Sequence, residues 1–114
     1  PRVASIRQQK ISSIIKRELA LIFQQESRNL FEGRFITVTI VRVSSDLGLA
    51  KTYISFLAVK DPKAELKKVN AVSNQIKHLL AQKVGKQLRR VPDLNFYLDD
   101  SLDYYEEIDR LLKE

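Results

Sequence analysis

A chain of 114 residues with 44% apolar and 30% charged side chains has the balance of a folded globular unit, and its length is that of one domain. Twenty Lys and Arg against fourteen Asp and Glu leave a formal charge of +6, which favours polyanionic partners over acidic ones. The absences exclude more. Without cysteine there is no disulfide framework, thiol nucleophile or cysteine-based zinc site. The single His78 cannot supply a multi-histidine metal centre. Gly33, Gly48 and Gly85 are spaced too widely for a nucleotide loop or a Gly-x-x-Gly clamp.

The first predicted element is an amphipathic helix over about residues 5–26, where Ile11, Ile14, Ile15, Leu19, Ile22 and Phe23 recur at three- and four-residue spacing. Ile6 falls at the edge of that stripe, and Lys10, Lys16 and Arg17 lie largely off it. From Phe35 to Ser44 the period shortens to two and β-branched residues dominate, which predicts a strand. Apolar residues on both of its faces predict a central, covered strand. Ser45-Asp46-Leu47-Gly48 supplies turn formers, and a second strand over Ala50 to Leu57 completes an antiparallel hairpin.

Asp61-Pro62 marks a helix start, with an N-cap oxygen followed by a proline in the first turn. Helical spacing then runs through Leu66, Val69, Ile76, Leu79, Leu80, Val84 and Leu88 and stops before Pro92. Asn70, Ser73 and Asn74 are poor helix formers, so a kink is expected near Ala71 to Asn74. Leu94, Phe96 and Leu98 alternate with polar or amphipathic residues and predict a third strand. A short helix over Ser101 to Leu112 closes the order α–β–β–α–kink–α–β–α. That pattern is an α+β domain with its helices on one face of a three-stranded sheet. No repeat, linker or low-complexity tract divides it, so residues 1–114 are expected to form one domain.

The charge is unevenly placed. Residues 99–114 hold seven acids and two bases, a net of −5, so residues 1–98 carry +11. Between Glu65 and Asp93 there is no acid, while Lys67, Lys68, Lys77, Lys83, Lys86, Arg89 and Arg90 lie there. An acid-free helical stretch of this kind suits phosphate-backbone binding; the alternative for any one basic helix is a solvated face. Stacking of bases on the sheet is not expected, because Tyr53 and Phe56 read as core aromatics. Shape- and phosphate-directed contact with folded RNA fits better.

The remaining singletons have plain readings. His78 is expected on the surface. Asp99, Asp100 and Asp103 read as caps for the last helix and not as a Mg²⁺ cluster. Ser44 and Ser45 lack the partners that would activate a nucleophile. Tyr104 and Tyr105 divide between packing and solvent. No segment approaches the roughly 20 apolar residues of a membrane span, and residues 1–10 do not read as a secretory signal. A soluble cytoplasmic protein without metal or cofactor is the expectation.

Four strings are more specific. Val41-Arg42-Val43-Ser44-Ser45-Asp46-Leu47-Gly48-Leu49-Ala50-Lys51-Thr52-Tyr53-Ile54-Ser55 resembles the hairpin signature of the bacterial ribosome-binding factor A family. Pro92-Asp93-Leu94-Asn95-Phe96-Tyr97-Leu98-Asp99-Asp100-Ser101-Leu102 is similar to that family's Pro-Glu-Leu-x-Phe-x-x-Asp-x-Ser segment. Lys16-Arg17-Glu18-Leu19 and Leu88-Arg89-Arg90-Val91-Pro92 match its first-helix and basic motifs, and the resemblance covers about residues 6–112.

The resemblance implies a type-two KH-like domain that is not an enzyme. It implies binding to free or immature small ribosomal subunits, support for processing of the rRNA 5′ end, and a role in growth in the cold. It also implies an Ala-x-Gly kink in place of the Gly-x-x-Gly loop; here Ala71-Val72-Ser73 puts serine where glycine is usual, and a left-handed backbone would strain it. The expected phosphate contacts are Lys10, Lys16, Arg17, Lys77, Lys83, Lys86, Arg89 and Arg90, with Arg42 and Lys51 on the hairpin as lesser candidates. The expected partners of a monomer are small-subunit rRNA and small-subunit ribosomal proteins; the acidic final helix could meet one of the latter or shield the basic face. The rival reading is a protein-interaction or dimerising module whose basic face is merely solvated.

Overall fold

The computed structural model describes residues 6–31 and 33–99. In chain order these form α1 (Ile6–Gln25), β1 (Ile36–Val43), β2 (Leu49–Phe56), α2 (Pro62–Ala71), α3 (Ser73–Val84) and β3 (Asp93–Leu98). The architecture is α+β, as the patterning predicts. The short helix expected over Ser101 to Leu112 lies outside the described residues.

Helix α1 forms because its apolar residues fall on one stripe, and Ile11, Ile15, Leu19, Ile22 and Phe23 are buried there. Each such side chain contributes about 1.5–3 kcal/mol when taken from water. Ile6 lies before the stripe and is 84% exposed. Phe23 anchors the helix end: its ring lies 4.9 Å from Phe31 and meets Phe96 of β3 edge-on at 5.8 Å. At the other end, Gln8 Nε2 donates to the Val43 carbonyl at 3.0 Å, tying α1 to the hairpin end of β1.

The sheet has the order β1-β2-β3, with β1 and β2 antiparallel and β2 and β3 parallel. The central strand is therefore β2, covered on one face only, and β1 is an edge. The apolar residues on both faces of β1 have another origin. The register shifts between Val38 and Ile40, a β-bulge that reverses which parity faces inward. Val38 is buried before it, Val41 and Val43 are buried after it, and Ile40 is left on the open face, 40% exposed. Thr39 Oγ1 donates to the Tyr53 carbonyl at 3.1 Å across the irregularity. Along β2, Ala50, Thr52 and Ile54 point into the core, and along β3 Leu94 and Phe96 do the same. The helices cover that one face.

The predicted break falls at Val72. Its φ of −107° and ψ of 17° end α2, its N–H reaches the Val69 carbonyl at 3.1 Å, and its own carbonyl accepts from Ile76 to begin α3. Ser73 does not have positive φ, so the strain expected of serine at the glycine position does not arise. The helical run also ends sooner than the spacing suggests, at Val84 and not just before Pro92. A Cβ on Gly85 would lie 2.7 Å from the Ala81 carbonyl oxygen. Glycine lets the chain tighten there, with Gln87 N–H and Leu88 N–H both reaching the Val84 carbonyl. Leu88 is buried at the end of that turn.

Asn70 does more than weaken a helix. Its Nδ2 donates to the Phe96 carbonyl at 3.1 Å and its Oδ1 accepts the Phe96 N–H at 3.0 Å. One side-chain amide thus pairs with β3 as a neighbouring strand would, and satisfies an edge that β2 cannot reach. At the start of α2, Asp61 caps the Ala64 N–H at 3.2 Å, and Glu65 pairs with Arg34 and Lys68, fastening the 26–35 connection to α2.

Two stability changes follow. Asn70→Ala leaves both Phe96 backbone groups unpaired and should lower unfolding free energy by about 2 kcal/mol. Thr52 is fully buried and its hydroxyl has no hydrogen-bond partner among the described residues, so Thr52→Val should raise stability by about 1 kcal/mol. Urea denaturation of the two variants, with opposite shifts of midpoint, is the check; a destabilised Thr52→Val would show that the hydroxyl is satisfied in solution.

Candidate nucleic-acid interface

Three separated segments meet at the hairpin end of the helix-covered face. Arg7, Lys10, Ile11 and Ile14 come from α1, Asp46 and Leu47 from the β1–β2 turn, and Gln87, Leu88, Arg89 and Arg90 from the segment after α3. Together they line a cleft of about 490 Å³. Buried Leu88 and buried Pro92 bracket Arg89 and Arg90, so the backbone is held while both guanidinium groups are exposed. The Gln8 contact to Val43 holds the first turns of α1 against the same end.

The turn is built by its own side chains. Ser44 Oγ donates to Asp46 Oδ1 at 2.6 Å and accepts the Leu49 N–H at 3.0 Å, while the Gly48 N–H donates to Asp46 Oδ1 at 3.0 Å. Leu47 takes a left-handed φ of 61° within this frame. The Ser44 hydroxyl and the Asp46 carboxylate are thus occupied in shaping the loop. The Ser44 hydroxyl holds the Asp46 carboxyl below the usual carboxylate range, the Gly48 N–H lowers it further, and the nearby Arg90 charge adds to both. Four cationic side chains face one carboxylate that the turn already engages. The lining is net cationic, which suits an anionic partner.

Of the expected contacts, Lys10, Arg89 and Arg90 are brought together here. Arg7 joins them and was not among the expected residues, although its three-residue spacing from Lys10 puts both on one flank of α1. Arg17 follows Lys10 by seven residues on that side of the helix, where it lies 3.6 Å from Glu18. Lys16 projects about 120° away from Lys10 around the helix. Lys77 is committed to Asp93, with Nζ 2.6 Å from Oδ1; this contact holds the Asp93 carboxyl below its usual range, with Arg90 contributing through space. Lys83 and Lys86 are exposed but do not line the cleft. Ala71, Val72 and Ser73 form the α2–α3 break and are not part of it.

Arg42 and Lys51 occupy the opposite, open face of the sheet, where they are register partners. Tyr53 and Tyr97 are register partners on the same face, with ring centroids 5.6 Å apart. Tyr97 is 38% exposed, so these two strand aromatics are not core, contrary to the reading from Tyr53 and Phe56 alone. Phe56 does pack against the core. His78 is exposed on α3, with Nε2 3.3 Å from Gln82 Nε2. Among the described residues no three His, Cys, Asp or Glu side chains converge to hold a metal, and no helix is long and apolar enough to cross a membrane.

The turn chemistry predicts a pH dependence. A carboxyl whose folded pKa is depressed adds stability above its ordinary value near 3.8, and that stability is lost as pH falls through the folded value. Asp46→Asn keeps the acceptor and removes the charge. Its urea midpoint should lie below the parent's above about pH 5, and the difference should close at lower pH. A gap that stays constant down to pH 2 would show that charge on Asp46 contributes nothing.

The family model described as Ribosome-binding factor A matches residues 7–112. Ribosome-binding factor A of Cytophaga hutchinsonii is 42% identical over 110 residues, which is 96% of this chain and 83% of that protein. The crystal structure of ribosome-binding factor A from Thermus thermophilus superposes with a TM-score of 0.64 at 26% identity, covering 80% of this chain and 94% of that one. A homology model of the Thermus thermophilus factor, fitted into a cryo-EM map of a 30S complex with that factor, gives 0.62 at 27% identity over 78% and 91% of the two chains. With a family match across nearly its whole length and relatives above 40% identity, the chain belongs to the ribosome-binding factor A family.

Proposed function

We propose that this protein is a non-catalytic assembly factor of the cytoplasm that binds free or immature small ribosomal subunits through rRNA. The observation that carries the reading is the cleft: Arg7, Lys10, Arg89 and Arg90 converge on it, with Asp46 already engaged by its own turn. Four cations around a rigid concavity suit a folded phosphate backbone, whose contacts supply affinity without reading sequence. A relative fitted into a 30S complex supports the same partner. Residues 1–114 act as one KH-like domain in this reading, and small-subunit ribosomal proteins are secondary partners.

Binding alone does the work. A rigid protein that favours one arrangement of an immature rRNA junction shifts its population by the difference in affinity between arrangements. Support for 5′ end processing, and a larger contribution in the cold, then follow from holding the junction in the productive arrangement. Arg17, Lys16, Lys83 and Lys86 extend the positive field around the cleft and act mainly on encounter rate. Lys77, bound to Asp93, contributes less than its charge suggests.

Affinity for purified immature small subunits, measured over a salt series, tests this. Each phosphate contact adds about 0.7–0.9 to the log–log slope. Arg89→Glu/Arg90→Glu should weaken binding at least about tenfold and reduce the slope by about 2. Unchanged affinity would show that the cleft is not the rRNA surface. A near-zero slope for the parent protein would remove the electrostatic account altogether.

A further inference from the structure

The open face of the sheet carries an arrangement that the cleft does not use. Ile40, Tyr53 and Tyr97 are cross-strand partners in one row over β1, β2 and β3. Arg42, Lys51 and Asn95 form the next row, two residues along each strand, about 6.6 Å away. Arg42, Lys51, Asn95, Tyr97 and Ile40 are all exposed. The two tyrosine rings, on adjacent strands, are inclined to each other by 31°.

Two features of this face run against stability. Arg42 and Lys51 stand directly opposite each other across an antiparallel ladder, where like charges are destabilising. Among the described residues neither makes an ion pair. Asp93, at the start of β3, is engaged by Lys77 of α3. Beside the unpaired cations, Ile40 and the tyrosine pair leave apolar and π surface in water. An anion that also presents flat apolar faces resolves both costs at once. Nucleotides in an unpaired strand have that chemistry: bases stack on aromatic rings and the adjoining phosphates meet cations. An apolar protein surface would bury Arg42 and Lys51 without counter-charge.

We propose that the Tyr53–Tyr97 row with Arg42 and Lys51 is a second RNA-binding surface, specific for a short single-stranded segment and separate from the phosphate cleft. Two bases stack over the tyrosine pair, and the phosphates next to them lie along Arg42 and Lys51. The inference does not depend on the small-subunit reading, since it concerns the opposite face and holds for any unpaired RNA.

The test is direct titration of the protein with an unstructured oligoribonucleotide of about ten nucleotides. The chain has four tyrosines and no tryptophan, so the part of the tyrosine quenching that is lost in Tyr97→Ala reports stacking on this row, and anisotropy of a labelled oligonucleotide gives the affinity. The parent should bind with quenching. Tyr97→Ala should weaken binding about 5- to 100-fold, Tyr97→Phe should retain it, and Lys51→Ala should weaken it and lower the salt slope by about 0.7. Tyr97 and Lys51 are exposed, and circular dichroism verifies that each variant is folded; if Tyr97→Ala is not, Lys51→Ala with quenching of the parent carries the test. Arg89→Glu/Arg90→Glu should keep most of the quenching while losing small-subunit affinity. Several results would overturn the proposal: no quenching by the oligonucleotide, Tyr97→Phe as damaging as Tyr97→Ala, or binding lost in the Arg89/Arg90 variant and unaffected in Tyr97→Ala. Self-association that Tyr97→Ala dissolves, without RNA affinity, would assign the row to a second copy of the chain and equally overturn it.

Discussion

The amide of Asn70 joins the helix layer of this fold to the edge of its sheet. Its two bonds to Phe96 give the outer edge of β3 a partner and fix the last turn of α2 against the sheet. Because α2 is fixed there, the chain must turn at Val72 and restart as α3 with Ile76, Leu80 and Val84 facing the core. The exit from α3 then delivers Leu88 to the core and leaves Arg89 and Arg90 at the hairpin end. A hydrogen-bonding requirement at one strand edge is thereby transmitted, through helix packing, to the position of two cations.

The helix-covered and open faces solve different problems. On the covered face, apolar burial dominates, and the cleft occurs only at its margin, where α1, the turn and the post-α3 segment leave room. There the cations project from backbone held by Leu88, Pro92 and the Ser44–Asp46 turn, so little order has to be gained on binding. On the open face the strands themselves fix the side chains at the pleat spacing. Rigidity is common to both, and it suits a protein that acts by preferring one arrangement of its partner.

Much of this was legible in the chain. The helix and strand periods, the Asp61-Pro62 start, the break near Ala71 to Asn74 and the hairpin all follow from local spacing and turn chemistry, and so does the basic run that includes Arg89 and Arg90. What could not be read depends on pairing between distant residues. Tyr53 and Tyr97 are 44 positions apart and meet only because β2 and β3 pair in parallel through two helices. Asn70 looked like a helix weakener because its partner is 26 residues away. The early end of α3 turned on the close approach of Gly85 to a carbonyl, and Lys77 lost its free charge to Asp93 across a tertiary contact. Arg7 carried a usable signal, its spacing from Lys10, which charge counting by segment passed over.

The bulge at Thr39 gives β1 two halves with opposite phase, joined at one residue. Straightening the strand by pairing Thr39 regularly is therefore not a local change. It would rotate everything from there to the turn by half a period, carrying Arg42 into the core and Val41 and Val43 into water. The one residue that the ladder skips is what keeps the apolar side chains of both halves facing the same core.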